Sequence, residues 1–207
     1  MHPPNIIQIL VNAKPMPYAF GALGWILMWK LQLLMQHFMP ALDYALGVAL
    51  IFLPAGIRTL AVLVFGLRGA IGVFIGCIFS TVNYLGHLPA FDASFALAIC
   101  AISAFSAYVM MQLVCWWRKI GSDLDELRFS DVLIVVFSQG LLSASLHQLV
   151  FTRLNLEGAY VNPSAWESFR LWAAMATGDI VGSMLLMLSG IALANMARLV
   201  FRVSRQN

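Results

Sequence analysis

The chain has 207 residues, of which 61% are hydrophobic and 10% charged, with a formal net charge of +3 and a mean hydropathy of +0.86. Soluble domains carry about a quarter charged residues, so this composition excludes a soluble globule, a disordered tail and a disulfide scaffold. Too few polar side chains are present to cover so much apolar surface in water, and the chain reads as an integral membrane protein.

A helix crossing a hydrocarbon core of ~30 Å needs about 20 mostly apolar residues. Six stretches meet or approach that length. Tyr18–Phe38 comes first, interrupted by Lys30. Tyr44–Leu67 follows, interrupted by Arg58. Gly69–Gly86 and Ala93–Trp117 carry no charge. Val132–Thr152 holds only His147, and Leu171–Ala197 only Asp179. The stretch from Tyr44 to Gly86 would be about 65 Å long as one helix, so it must fold back, and Leu67-Arg68-Gly69 is the expected hairpin. Helix is the expected form throughout, because a lipid-exposed backbone must satisfy its own hydrogen bonds and the stretches lack the alternation of barrel strands. The expected fold is a single all-α domain over residues 1–207. It is a polytopic transmembrane bundle of six spans, or five if Lys30, Gln32, Gln36 and His37 keep the first stretch at the interface. The second span is broken at Pro54-Ala55-Gly56.

Basic residues in short loops set orientation. With the C-terminus inside, Lys14, Arg68, Arg118, Lys119, Arg128, Arg198, Arg202 and Arg205 lie inside, and Arg153 and Arg170 outside. Both termini are therefore expected in the cytoplasm, and lipid topology rather than nucleic acid accounts for the positive charge. Ser122 and Asp125 form a capping-box pattern between the fourth and fifth spans, and Ser130 or Asp131 can cap the fifth. Trp116 and Trp117 mark the inner interface, and Tyr160, Trp166, Phe169 and Trp172 the outer one.

Charges within the membrane are costly and mark functional sites. Lys30, Arg58 and Asp179 fall at interior depth, with His147 above them. Two cations against one anion leave a surplus positive charge suited to a carboxylate or phosphate ligand. The competing reading is that Asp179 only neutralises Lys30 or Arg58. Pro54 and Gly56 interrupt the second span two to four residues before Arg58, and a broken helix frees backbone groups that transporters use to bind substrate. Gly72 and Gly76, and Gly178 and Gly182, are G-x-x-x-G pairs that let helices approach closely, within this bundle or in a homodimer. Arg198, Arg202 and Arg205 form one basic helical face, suited to anionic lipid or a cytoplasmic partner.

No catalytic motif emerges, and the chain is not expected to be an enzyme. Ser143 and His147 are one turn apart, but no nucleophile elbow or third member accompanies them. Gly178-Asp179 has no second interior aspartate to complete a protease dyad. Cys77, Cys100 and Cys115 have neither disulfide nor zinc spacing, and no cofactor or metal is expected.

Phe52-Leu53-Pro54-Ala55-Gly56-Ile57 resembles the W-P-P-A-G-I element of the first membrane-associated sensor domain family (MASE). As in that family, an apolar run, a glycine and a basic residue follow (Ala61 to Arg68), then a small-residue helix with Gly72 and Gly76. Thr177-Gly178-Asp179-Ile180-Val181-Gly182 is similar to the family's closing Gly-Asp-x-x-Gly helix. The resemblance covers Tyr18 to about Leu188, with Pro54, Gly56 and Asp179 as matching residues. Leu53 stands where the family has a proline, and Arg58 has no counterpart there. The resemblance implies a multi-pass sensory module of the bacterial inner membrane, normally fused to a histidine kinase or a diguanylate cyclase. This chain is shorter and carries no output domain before Asn207, so the resemblance implies either a separate partner that reads the signal or a chain that no longer signals. The alternatives are a small solute transporter or substrate-capture subunit, and a membrane assembly or scaffold subunit.

Overall fold

The computed structural model describes residues 14–45, 48–85, 92–121, 124, 126–153 and 164–204, with side chains through residue 192 of the last stretch. Six α-helices dominate the described residues: α1 (Met16–Phe38), α2 (Leu53–Phe65), α3 (Leu67–Leu85), α4 (Ala93–Arg118), α5 (Phe129–Arg153) and α6 (Ala165–Ser204). Five of them are long and apolar enough to cross a membrane, α2 being the exception. The expected all-α bundle is therefore the fold, and the chain is a multi-pass membrane protein by the length and composition of its helices.

The second expected span is corrected. Residues 44–67 do not form one helix. Asp43–Ala45 (β1) pairs antiparallel with Val48–Ala49 (β2), Phe52 is extended, and only Leu53–Phe65 is helical. The reason is local. Pro54 lies in the first turn of α2, where its missing N–H costs nothing, so it starts a helix instead of kinking one. At 13 residues, α2 is about 20 Å long. The reversal also moves by one residue, from Leu67-Arg68-Gly69 to Gly66, whose φ of +57° and ψ of −133° suit glycine.

Close backbone approaches give the direction of each pass. A Cβ added at Gly72 would meet the Tyr18 carbonyl oxygen at 2.4 Å, and one at Gly76 the Ala22 oxygen at 2.5 Å. Residue numbers rise together in both helices, so α1 and α3 are parallel and the chain between them must return. That return is the extended stretch 49–52 followed by α2. It lies along α6, where a Cβ at Gly178 would meet the Ala49 oxygen at 2.0 Å and one at Gly182 the Phe52 oxygen at 1.9 Å. The small residues of α3 thus face a helix, whereas those of α6 face extended chain.

Helices α4 and α5 form an antiparallel hairpin. At its closed end Arg118 Nε donates to Asp131 Oδ1 at 3.1 Å, and Asp131 Oδ2 accepts the Arg128 N–H at 3.0 Å, closing the first turn of α5. The capping box assigned to Ser122 and Asp125 lies outside the described residues, as do Tyr160 and the side chains of Arg198, Arg202 and Arg205. Trp25 is buried in an apolar cluster with Ile57, Ala61, Val73, Cys77, Cys100 and Ala104, which binds α1 to α4 together. Many large apolar side chains, such as Leu23, Leu27, Phe79, Leu113 and Leu188, are exposed on the outer faces, which suits lipid and not water.

Candidate functional site

At the centre of the bundle, α2 places Arg58 among α4, α5 and α6. Its side chain is 1% exposed. Arg58 Nη2 donates to Asp179 Oδ2 at 2.9 Å. Nη1 donates to the Ser103 carbonyl at 3.1 Å and to Ser143 Oγ at 3.4 Å. A guanidinium has five donors in a planar fork, so one residue of α2 holds three other helices in register. Arg58 Nε remains buried without a partner.

His147 joins this cluster through neutral groups. Its Nδ1 lies 2.8 Å from the Ser143 carbonyl, which can only accept, so Nδ1 carries the proton. In the neutral ring Nε2 then accepts from Ser103 Oγ at 3.2 Å. Because Nδ1 is committed to a carbonyl, it is poorly placed to draw a proton from Ser143 Oγ.

One turn further along, a second polar ring ties α2, α5 and α6. Thr59 Oγ1 donates its single proton to the Ala55 carbonyl at 2.9 Å, so across the 3.2 Å gap to Ser183 it is Ser183 that donates. Gln139 Nε2 donates to both Thr59 Oγ1 and Ser183 Oγ at 3.0 Å, while its Oε1 is buried without a partner. Gln139, Ser143 and His147 recur every four residues and form one polar stripe on α5.

Lys30 is not part of this assembly: it sits on the exposed face of α1. The expected surplus of positive charge is corrected accordingly, because the buried cluster holds one guanidinium and one carboxylate, paired. Side-chain direction decides this. Depth along a helix does not say which way a residue faces. Pro54 and Gly56 flank the cluster as backbone. A Cβ at Gly56 would meet the Gly182 oxygen at 2.8 Å and Leu186 Cβ at 2.5 Å, so α2 and α6 touch beside Arg58.

Sequence reading missed Gln32, Ser103, Gln139, Thr59 and Ser183. Gln32 Oε1 accepts the Leu53 N–H at 3.0 Å and so caps α2 from the neighbouring helix. The Phe52 N–H donates to the Gly178 carbonyl at 3.0 Å. Backbone groups freed by the extended stretch are thus satisfied by protein, as an irregular segment at membrane depth requires. The four-residue recurrence on α5 was a legible signal. Gln32 had none, because its partner is 21 residues away. Among the described residues no cluster of His, Cys, Asp and Glu could hold a metal ion.

Comparison of the chain with protein families, with curated proteins and with solved structures returns no match.

Proposed function

We propose that this chain is an integral membrane sensory module in which α6 carries the output and the Arg58–Asp179 pair is the latch on which a signal acts. The carrying observation is that this ion pair joins the half-helical second pass to α6. Helix α6 favours this role because it runs 40 residues without a break, about 60 Å, twice the ~30 Å hydrocarbon core. Its backbone continues past the apolar window ending at Ala192 to Ser204. A displacement at Asp179 would travel along a rigid rod to a partner at the far end, where the helix backbone includes Arg198 and Arg202. The resemblance to the MASE family supports this reading and implies a bacterial inner membrane, and the bias of basic residues in the short loops supports cytoplasmic termini.

A signal works only if it binds the two states of the latch with different affinity. A small anion would do so by competing with the Asp179 carboxylate for the Arg58 guanidinium. Asp179→Asn imitates the released latch while keeping the volume of the side chain. With spin labels at the exposed positions Leu67 and Ile191, the distance between the start of α3 and the far part of α6 should change in Asp179→Asn. An unchanged distance distribution in the folded variant would reject the latch.

A transporter remains the second reading. It is favoured by the discontinuous second pass, since transporters build substrate sites from helices that begin at membrane depth. Flux into proteoliposomes distinguishes it, because a sensor binds without transport.

A further inference from the structure

Helix α1 is the least covered of the five spans: 17% of its apolar window is buried, against 39–44% for the other four. Its inward face carries Gly21, Trp25 and Gln32, which meet α3 and α2. Its outward face carries Leu23, Leu27, Lys30, Leu34 and His37, all exposed. These five recur at alternating steps of four and three, the spacing at which one helix packs its side chains between those of another. Exposed leucines alone suit lipid, but Lys30 does not. It lies about 12 Å from the end of α1 at Phe38, with Leu27 before it and Leu34 after it on the same face. It has no hydrogen bond or ion pair among the described residues. The exposed charges Arg68, Arg118, Glu167 and Arg170 differ, because each lies within the first or last two turns of its helix, where water reaches. The Lys30 Cα–Cβ bond tilts toward the helix N-terminus, away from the nearer end, which places the ammonium poorly for snorkelling to water there.

We infer that the outer face of α1 binds a membrane-spanning helix of a different protein, one that carries a carboxylate opposite Lys30. A charge facing hydrocarbon is costly, and charges inside a membrane pair with one another. A carboxylate supplies the countercharge and accepts the ammonium's hydrogen bonds. A second copy of this chain does not fit. In a two-fold pair both α1 helices cross in the same direction and each seam residue meets its equivalent, so Lys30 would oppose Lys30. The inference stands on the outer face of α1 and does not depend on the sensory reading of α6.

The test places the full chain in phosphatidylcholine vesicles with model transmembrane peptides and reads energy transfer between them. The chain carries a donor dye on Lys14→Cys after replacement of Cys77, Cys100 and Cys115, and the peptides carry the acceptor. Three peptides share a leucine–alanine span of about 22 residues and differ at its central position, which is Asp, Asn or Leu. Saturable transfer is expected with the Asp peptide, at an apparent affinity about tenfold or more above that of the other two. Lys30→Leu should lose that preference, and Lys30→Arg, which keeps the charge, should retain it. Lys30 is exposed, so these variants keep the fold. Phe79→Leu, on the outer face of α3, should bind as the parent does. Equal transfer with the Asp and Leu peptides, no saturable transfer, or an unchanged preference in Lys30→Leu would each overturn the inference. A second copy is tested without peptide: efficient disulfide cross-linking through Leu27→Cys would show that the chain covers this face with itself, and would overturn it as well.

Discussion

Arg58 and Asp179 are each costly in a low-dielectric interior and tolerable only together. Removing one partner strands the other charge, at about 3–5 kcal/mol for a buried pair, whereas replacing both often costs little. Arg58→Gln and Asp179→Asn should therefore each destabilise the purified protein strongly, and the double variant should be more stable than the sum of the two predicts. Chemical denaturation in detergent, read as a double-mutant cycle, measures this. Additive losses would mean that the ion pair contributes nothing beyond its separate hydrogen bonds. The charged members of the cluster were legible in the sequence, because Arg58 and Asp179 stand alone in apolar runs. Lys30 shows the limit of that signal: it is as conspicuous in sequence, yet it faces outward. Gln139 shows the opposite limit. It carries no charge, but it is fully buried and joins α2, α5 and α6.

At the scale of elements, the second pass depends on partners outside itself. Its extended half donates the Phe52 N–H to α6, and its helical half is capped by Gln32 of α1. Glycines at 178 and 182 let the backbone of 49–52 lie directly on α6. Gly182→Ala should push the two apart and cost on the order of 1–3 kcal/mol, as overpacking does. Gly190→Ala, on the same helix with nothing within 4 Å, should be neutral or slightly stabilising, since alanine is the better helix former. Thermal unfolding of the two variants side by side checks this. Helix ends were partly readable. Ser164 and Glu167 form a reciprocal capping box, with the Ser164 N–H donating to Glu167 Oε2 at 2.8 Å and the Glu167 N–H to Ser164 Oγ at 3.2 Å. That S-x-x-E pattern was present in the sequence and places the start of α6 six residues before the expected Leu171. Trp166, Phe169 and Trp172 then stack along its first turns, with ring centroids 5.8 Å apart.

For the whole molecule, the parallel pair α1 and α3 and the alternation of the later helices put the start of α1 and the end of α6 at one end of the bundle. The β1–β2 pair lies at the other. After replacement of Cys77, Cys100 and Cys115, single cysteines at Lys14 and at Ser204 should label with a membrane-impermeant reagent from the same side, and a cysteine at Asp43 from the opposite side. Labelling of Lys14→Cys and Asp43→Cys from one side would show that α1 lies along the membrane instead of crossing it.

Composition and the length of apolar runs determined that this is a multi-pass helical membrane protein and located most of its crossings. Both follow from the bilayer's thickness and its lack of hydrogen-bonding partners, which act on each stretch independently of the others. The tertiary structure decided that the second pass is half extended and that Arg58, not Lys30, meets Asp179. It also decided that Gln32 caps a helix 21 residues away. Those outcomes depend on which face of one helix lies against which backbone of another, and no local pattern of residues encodes that.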